Sequence, residues 1–170
     1  MSTFFKTGAK ILFGLNCDSF STIFLLFYTT VSNQILQIRN PNASRPWQHV
    51  LDCLRGYLLV GQSHLEKNID TPTSINFGPK ESLSVVELIH IFESSFNKKI
   101  KFEITESNKY ESKWLELDPN LAKNYLGWET FFSPTAAINQ TANWYSKFAI
   151  GADPEELMRQ EIASYRIGKW

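Results

Sequence analysis

Ile35 to Gly61 reads ILQIRNPNASRPWQHVLDCLRGYLLVG. Its first five residues alternate, with Ile35 and Gln37 on one face and Leu36 and Ile38 on the other, the period of a short strand. Asn40-Pro41-Asn42-Ala43-Ser44 is a loop of turn formers. From Gln48 to Glu66 the period is helical. Val50, Cys53, Leu54, Tyr57, Val60 and Gly61 share a face that Leu51, Leu58 and Leu65 widen, and Asp52, Arg55, Gln62 and Glu66 lie opposite. A helix apolar over about half its circumference has to pack on something large. Arg45 and Trp47 stand together in the loop before it. Two readings are open here. An arginine fork can grip a diphosphate while an indole shields the contact from water; alternatively, Arg45 is a surface residue beside a core tryptophan.

Length and composition set the bounds. The chain has 170 residues, enough for one domain with its own core, and 43% are apolar. Lys and Arg balance Asp and Glu, so charge suggests neither nucleic acid nor an anionic membrane as partner. Cys17 and Cys53 fit no metal spacing and no redox pair, which implies free thiols and a reducing, cytoplasmic compartment. Residues 1–33 form a segment apart. Ile23 to Tyr28 is densely apolar, but Asn16, Asp18 and Ser19 interrupt what a signal sequence or a membrane span would need.

Downstream, Ser74 to Phe77 reads as a short strand ended by Gly78-Pro79. Ser84 opens a helix with Glu87 completing a capping box, and its stripe is Val85, Leu88, Ile89, Phe92 and Phe96. His90 points away from that stripe and reads as a surface residue. Ile100, Phe102 and Ile104 alternate with Lys101, Glu103 and Thr105, a half-buried strand. Lys113 to Leu117 is extended again. Three helices follow, opened by Asp118-Pro119, Ser133-Pro134 and Asp153-Pro154; Gly127 and Gly151 end the first two. The inward residues expected of the last are Leu157, Met158, Ile162 and Tyr165.

The segment IRNPNASRPWQHVLDCLRGYLL closely resembles CDP-glucose 4,6-dehydratases, within the extended short-chain dehydrogenase/reductase superfamily. The likeness continues through Asn76-Phe77-Gly78-Pro79, Ser84 to Leu88, Leu117-Asp118, Leu126-Gly127-Trp128 and Asn143-Trp144-Tyr145. It covers roughly residues 33–167; the first segment is specific, and the short pieces recur across the superfamily. The fold class it implies is α/β, the helix-rich C-terminal substrate-binding part of an extended member, lacking most of the Rossmann domain. Residues 1–33 are unmatched and residues 34–170 are the nucleotide-sugar-binding part; the family's helix before its strand implies a helix over Ser21 to Val31, in need of a partner surface.

In the family, NAD takes a hydride from the sugar, water is eliminated, and CDP-glucose becomes CDP-4-dehydro-6-deoxyglucose for lipopolysaccharide biosynthesis. This lyase chemistry needs a glycine-rich turn for the dinucleotide and a Tyr-x-x-x-Lys pair. Both belong to the N-terminal half of the family, so this chain is expected to lack them, to bind no NAD itself and to be inactive alone. The resemblance leaves substrate contacts: Arg45 on phosphate, and Ile38, Arg39 and Asn40 along the cytosine, largely through backbone groups. Trp47 and His49 are expected to pack and fix the loop rather than touch ligand. Tyr110-Glu111 stands where the family tends to have His-Glu, a departure in that part of the pocket. Two or three charged contacts imply weak binding of a CDP-sugar. In relatives the helix 48–66 packs on the nucleotide-binding domain; here its stripe is expected to be covered by the N-terminal segment or left exposed. An exposed stripe would serve a separate NAD-binding half or self-association. A fragment of a related epimerase or decarboxylase is the alternative.

Overall fold

The computed structural model describes residues 22–66, 72, 74–105 and 112–165. Helix α1, Thr22–Ser32, places Ile23, Leu26 and Phe27 inward and ends at Asn33, whose φ of 55° turns the chain. Strand β1, Leu36–Ile38, follows with Leu36 and Ile38 buried and Gln37 exposed, the alternation its residues dictate. It pairs in parallel with β4, Phe102–Ile104, in the register Leu36 to Phe102 and Ile38 to Ile104. A second small sheet pairs β2, Ser44–Arg45, antiparallel with β3, Leu83–Ser84. Ser44 also bridges Trp114 in parallel, which anchors the extended 113–117 stretch.

The helices begin and end where their caps stand. Helix α2 is Val50–Leu65, with His49 at its N-cap. Helix α3, Val85–Phe96, carries the full capping box of Ser84 and Glu87. Helix α4, Asn120–Leu126, starts after Asp118, whose carboxylate accepts from Asn120 N at 2.9 Å, and stops at Gly127 with φ of 62°. Helix α5, Pro134–Ala149, and helix α6, Pro154–Ser164, open on Ser133 and Asp153, each accepting from a backbone N–H three residues on.

One core gathers α1, β1, α3 and α5: Ile23, Leu26, Phe27, Leu36, Ile38, Leu88, Ile89, Phe92, Ile138 and Tyr145. Phe27 stacks on Tyr145 with ring centroids 4.6 Å apart. Burial of each such side chain stabilises by about 1.5–3 kcal/mol before entropy is counted. The surface that α1 needed is therefore this core, and packing runs without a break across residue 33.

Several expectations are corrected. Ser74 to Phe77 is not a strand: a ladder needs a hydrogen-bonded neighbour, and among the described residues none pairs with it. Ile104 is exposed, at the end of β4. Met158 and Ile162 are exposed too, so α6 is held mainly through Leu157 and Tyr165. The largest correction is α2. Its buried residues are Asp52, Gly56 and Ser63, while Leu54, Tyr57, Leu58 and Leu65 are exposed. Asp52 turns into the chain because its buried carboxylate collects donors from three distant groups, described below, while Gln62 and Glu66 of the same polar face are exposed. Of the two fates expected for the apolar stripe, exposure holds among the described residues.

Candidate functional site

The residues singled out by sequence lie along one strap, 38–49, which runs from the end of β1 to the start of α2. Several carbonyls on it are engaged. Ile38 O accepts from Thr105 N at 2.8 Å, Asn40 O from Ala43 N at 3.2 Å, Pro41 O from Val86 N at 2.9 Å and Ala43 O from Val85 N at 3.1 Å. A helix start leaves up to four N–H groups without intrahelical partners; here two of those at α3 are answered by the strap and a third by Ser84 Oγ. Ser44 then donates to Lys113 O at 2.8 Å and accepts from Leu115 N at 3.2 Å. The loop is thus built in advance of any ligand. Ile38 is buried with its carbonyl engaged, Asn40 is half-buried and Arg39 is exposed.

Arg45 is half-buried in β2, and its Nη1 donates to Ser44 O at 2.8 Å. The Trp47 indole is in the core, and Nε1 donates to Leu83 O at 2.9 Å. His49 is 1% exposed. Its Nδ1 accepts from Leu51 N at 3.3 Å, capping α2, and its Nε2 meets Glu161 Oε1 at 3.1 Å. Both residues therefore fix the loop by geometry. Tyr110 and Glu111 lie outside the described residues. Trp114, which sequence reading passed over, is 69% exposed although it bridges the residue next to Arg45. The available signal was an aromatic side chain within the polar run Glu111 to Glu116.

Behind the strap sits a polar knot that sequence reading also missed. Asp52 is wholly buried on the first turn of α2. Its Oδ1 accepts from Phe131 N at 2.6 Å and from the Tyr165 hydroxyl at 2.8 Å, and its Oδ2 accepts from Phe132 N at 3.3 Å. Its backbone carbonyl accepts from Trp128 Nε1 at 2.9 Å. Arg55 donates from Nε to the Tyr165 hydroxyl at 3.2 Å and from Nη2 to the carbonyl of Glu129, with its guanidinium 5.9 Å from the Trp128 ring centroid. Burial pushes the Tyr165 phenol well above its ordinary range, the Asp52 carboxylate adds to the rise, and Arg55 opposes it. The Tyr-x-x-x-Lys spacing does occur once, at Tyr165 and Lys169, contrary to expectation. Lys169 lies outside the described residues. Tyr165 is tuned the wrong way for a base, because a phenol held protonated against a carboxylate gives up its proton less readily.

A hollow of about 350 Å³ opens among Gly78, Lys80, Glu81, Pro119, Lys123, Glu129 and Ser133. None of the predicted site residues lines it. Lys123 there is paired with Glu129 at 2.6 Å. NAD needs a strand-to-helix turn in which glycines let backbone N–H groups reach the pyrophosphate. The two glycines with positive φ, Gly127 and Gly151, instead follow the ends of α4 and α5, so the described residues do not fit that cofactor. Among the described residues no group of three or more His, Cys, Asp or Glu could hold a metal. No described helix is long and apolar enough to cross a membrane.

No protein-family profile matches the chain. CDP-glucose 4,6-dehydratase of Salmonella typhimurium is 30% identical over 137 residues, 79% of this chain and 38% of that protein. Among solved structures, the UDP-glucose 4-epimerase of Stenotrophomonas maltophila, crystallised with NAD and a formylated UDP-arabinopyranose, superposes with a TM-score of 0.65 at 21% identity, covering 85% of this chain and 45% of that one. The chain has the C-terminal fold of an extended short-chain dehydrogenase/reductase. UDP-glucose 4-epimerase of Neisseria meningitidis serogroup C is 27% identical over 109 residues, 64% of this chain and 32% of that protein. The chain therefore spans about a third to two fifths of the length of these curated relatives, and its similarity lies with nucleotide-sugar dehydratases and epimerases of that superfamily.

Proposed function

We propose that this chain is the substrate-side portion of a cytoplasmic nucleotide-sugar dehydratase of the CDP-glucose type, in which the strap 38–49 meets a CDP-sugar and Arg45 holds its diphosphate. The observation that carries the reading is the pre-built strap, with its carbonyls tied to α3 and β4 and Arg45 at its centre. The similarity to CDP-glucose 4,6-dehydratase supports cytidine over uridine as the base. Two or three charge-assisted contacts of about 1.5–3 kcal/mol each, less the cost of association, leave a dissociation constant of about a millimolar or weaker for this chain alone. By itself the chain dehydrates no CDP-glucose, with or without added NAD, because its described residues offer neither a dinucleotide turn nor a tyrosine tuned as a base.

The test is a nuclear magnetic resonance titration of the labelled chain with CDP and CDP-glucose, and with UDP as comparison. Shifts should gather on residues 38–45 and favour CDP. Arg45→Ala should weaken binding about ten- to a hundred-fold, the value of one lost charged hydrogen bond. Equal response to UDP would move the reading to the epimerases. Shifts remote from Arg45, or turnover of CDP-glucose by the chain alone, would remove it.

A second reading rests on a separate observation. Leu54, Tyr57, Leu58 and Leu65 are exposed on α2. Such a face favours association, with a separately encoded NAD-binding half or with a second copy. Mixing the chain with such a half should then give a complex and restore turnover; no complex and no turnover would end that reading.

A further inference from the structure

We propose that Glu161 on α6 is a positioning residue for the Arg45 segment, acting through the imidazole of His49; this rests on the reading of Arg45 above. Leu51 N points at His49 Nδ1 at 3.3 Å, so Nδ1 must present a lone pair. The proton of the neutral ring is then on Nε2, which faces Glu161 Oε1 at 3.1 Å. A neutral imidazole accepts at one nitrogen and donates at the other, and one tautomer satisfies both neighbours. The ring is 1% exposed, so water is no ready substitute for either contact. Glu161 therefore selects the tautomer that caps α2.

The cap bears on the site because of where it lies. Arg45 stands four residues before His49. Between them, Trp47 is tied to Leu83 O and Gln48 donates to Phe77 O at 3.1 Å. His49 is the third anchor of the segment, and it caps only while Nδ1 presents a lone pair to Leu51 N. The other charged or titratable groups packed here are Asp52 and Arg55 on α2 and Tyr165 beyond α6. The Tyr165 hydroxyl donates to Asp52 and accepts from Arg55, and the Tyr165 ring lies 6.5 Å from the imidazole, nearly parallel to it. Helix α6 is thus a strap whose carboxylate decides whether the helix behind Arg45 is capped.

The test uses the full chain labelled with ¹⁵N. Long-range proton–nitrogen correlations read the His49 tautomer, and amide exchange at Leu51 reads the cap. The unaltered chain should show the proton on Nε2. Glu161→Gln should keep that tautomer and the Leu51 protection, because an amide oxygen can still accept from Nε2. Glu161→Ala should lose the tautomer preference, exchange Leu51 about five-fold faster, as loss of a cap implies, and weaken CDP binding. If Glu161→Ala keeps the tautomer and the exchange of the unaltered chain, the proposal is wrong. Absence of CDP binding by the unaltered chain would instead remove the nucleotide reading, while the ring and amide measurements, which need no ligand, still decide this one.

Discussion

Asp52 shows how much one side chain organises. Its carboxylate takes two backbone donors from Phe131 and Phe132 and the hydroxyl of Tyr165, so a charge buried at the start of α2 is satisfied rather than stranded. Tyr165→Phe removes one donor from Asp52 and one acceptor from Arg55. It should cost about 1–3 kcal/mol in urea unfolding, the penalty for leaving buried polar groups short of a partner. The pH dependence follows from the raised phenol. Because its folded value lies above the unfolded one, its stabilising contribution is full below about pH 10 and is lost as pH rises through the folded value. Alkaline unfolding of the unaltered chain and of Tyr165→Phe should therefore converge at high pH. Asp52 was legible as a polar residue on a helix; its inward direction was not, because its partners stand 79 to 113 residues away.

Elements in this chain are set largely by their ends. Helix α3 is closed at its start by the Ser84–Glu87 box, and past its end Glu93 reaches forward to Ile100 N at 2.8 Å and to Lys99 at 3.0 Å. Burial alone would raise the Glu93 carboxyl, but the Ile100 amide, His90 and Lys99 together hold it below the usual carboxylate range. A depressed folded value means that the contribution is present above the unfolded value, about 4.3, and is lost as pH falls through the folded one. Glu93→Gln should thus lower stability near neutral pH and flatten the acid limb, as followed by circular dichroism from pH 7 downward. On α2, Gly56 faces the ring of Phe77, and a Cβ there would lie 2.7 Å from its atoms. Alanine favours helix by about 0.8–1 kcal/mol over glycine, but overpacking costs about 1–3 kcal/mol. Gly56→Ala should therefore destabilise the chain in denaturant titration; a gain in stability would show that the Phe77 ring yields easily.

At the scale of the molecule, one core holds α1, β1, α3 and α5, while α2 is fastened through Asp52 and Arg55 and shows Leu54, Tyr57, Leu58 and Leu65. Leu58 is 61% exposed on that outer face. Leu58→Lys should leave stability within about 0.5 kcal/mol, as exposed substitutions do, and reduce self-association in sedimentation velocity or complex formation with an NAD-binding half. A large loss of stability would mean that the face is covered within the chain. Leu54, Tyr57, Leu58 and Leu65 are exposed on α2, and among the described residues no strand pairs with Ser74 to Phe77.

Helix limits, caps, the alternation of β1 and the resemblance in the Ile38 to Leu59 segment were all readable from the residues, because each depends on neighbours within about one or two turns of chain. Which face of α2 turns inward, where Trp47 lies, and whether Ser74 to Phe77 becomes a strand were decided only in three dimensions. An amphipathic period states that two faces differ. It does not state which one the rest of the chain will meet, and here the choice was made by hydrogen-bond donors from the 131–132 turn and Tyr165, far along the sequence from the carboxylate they bind.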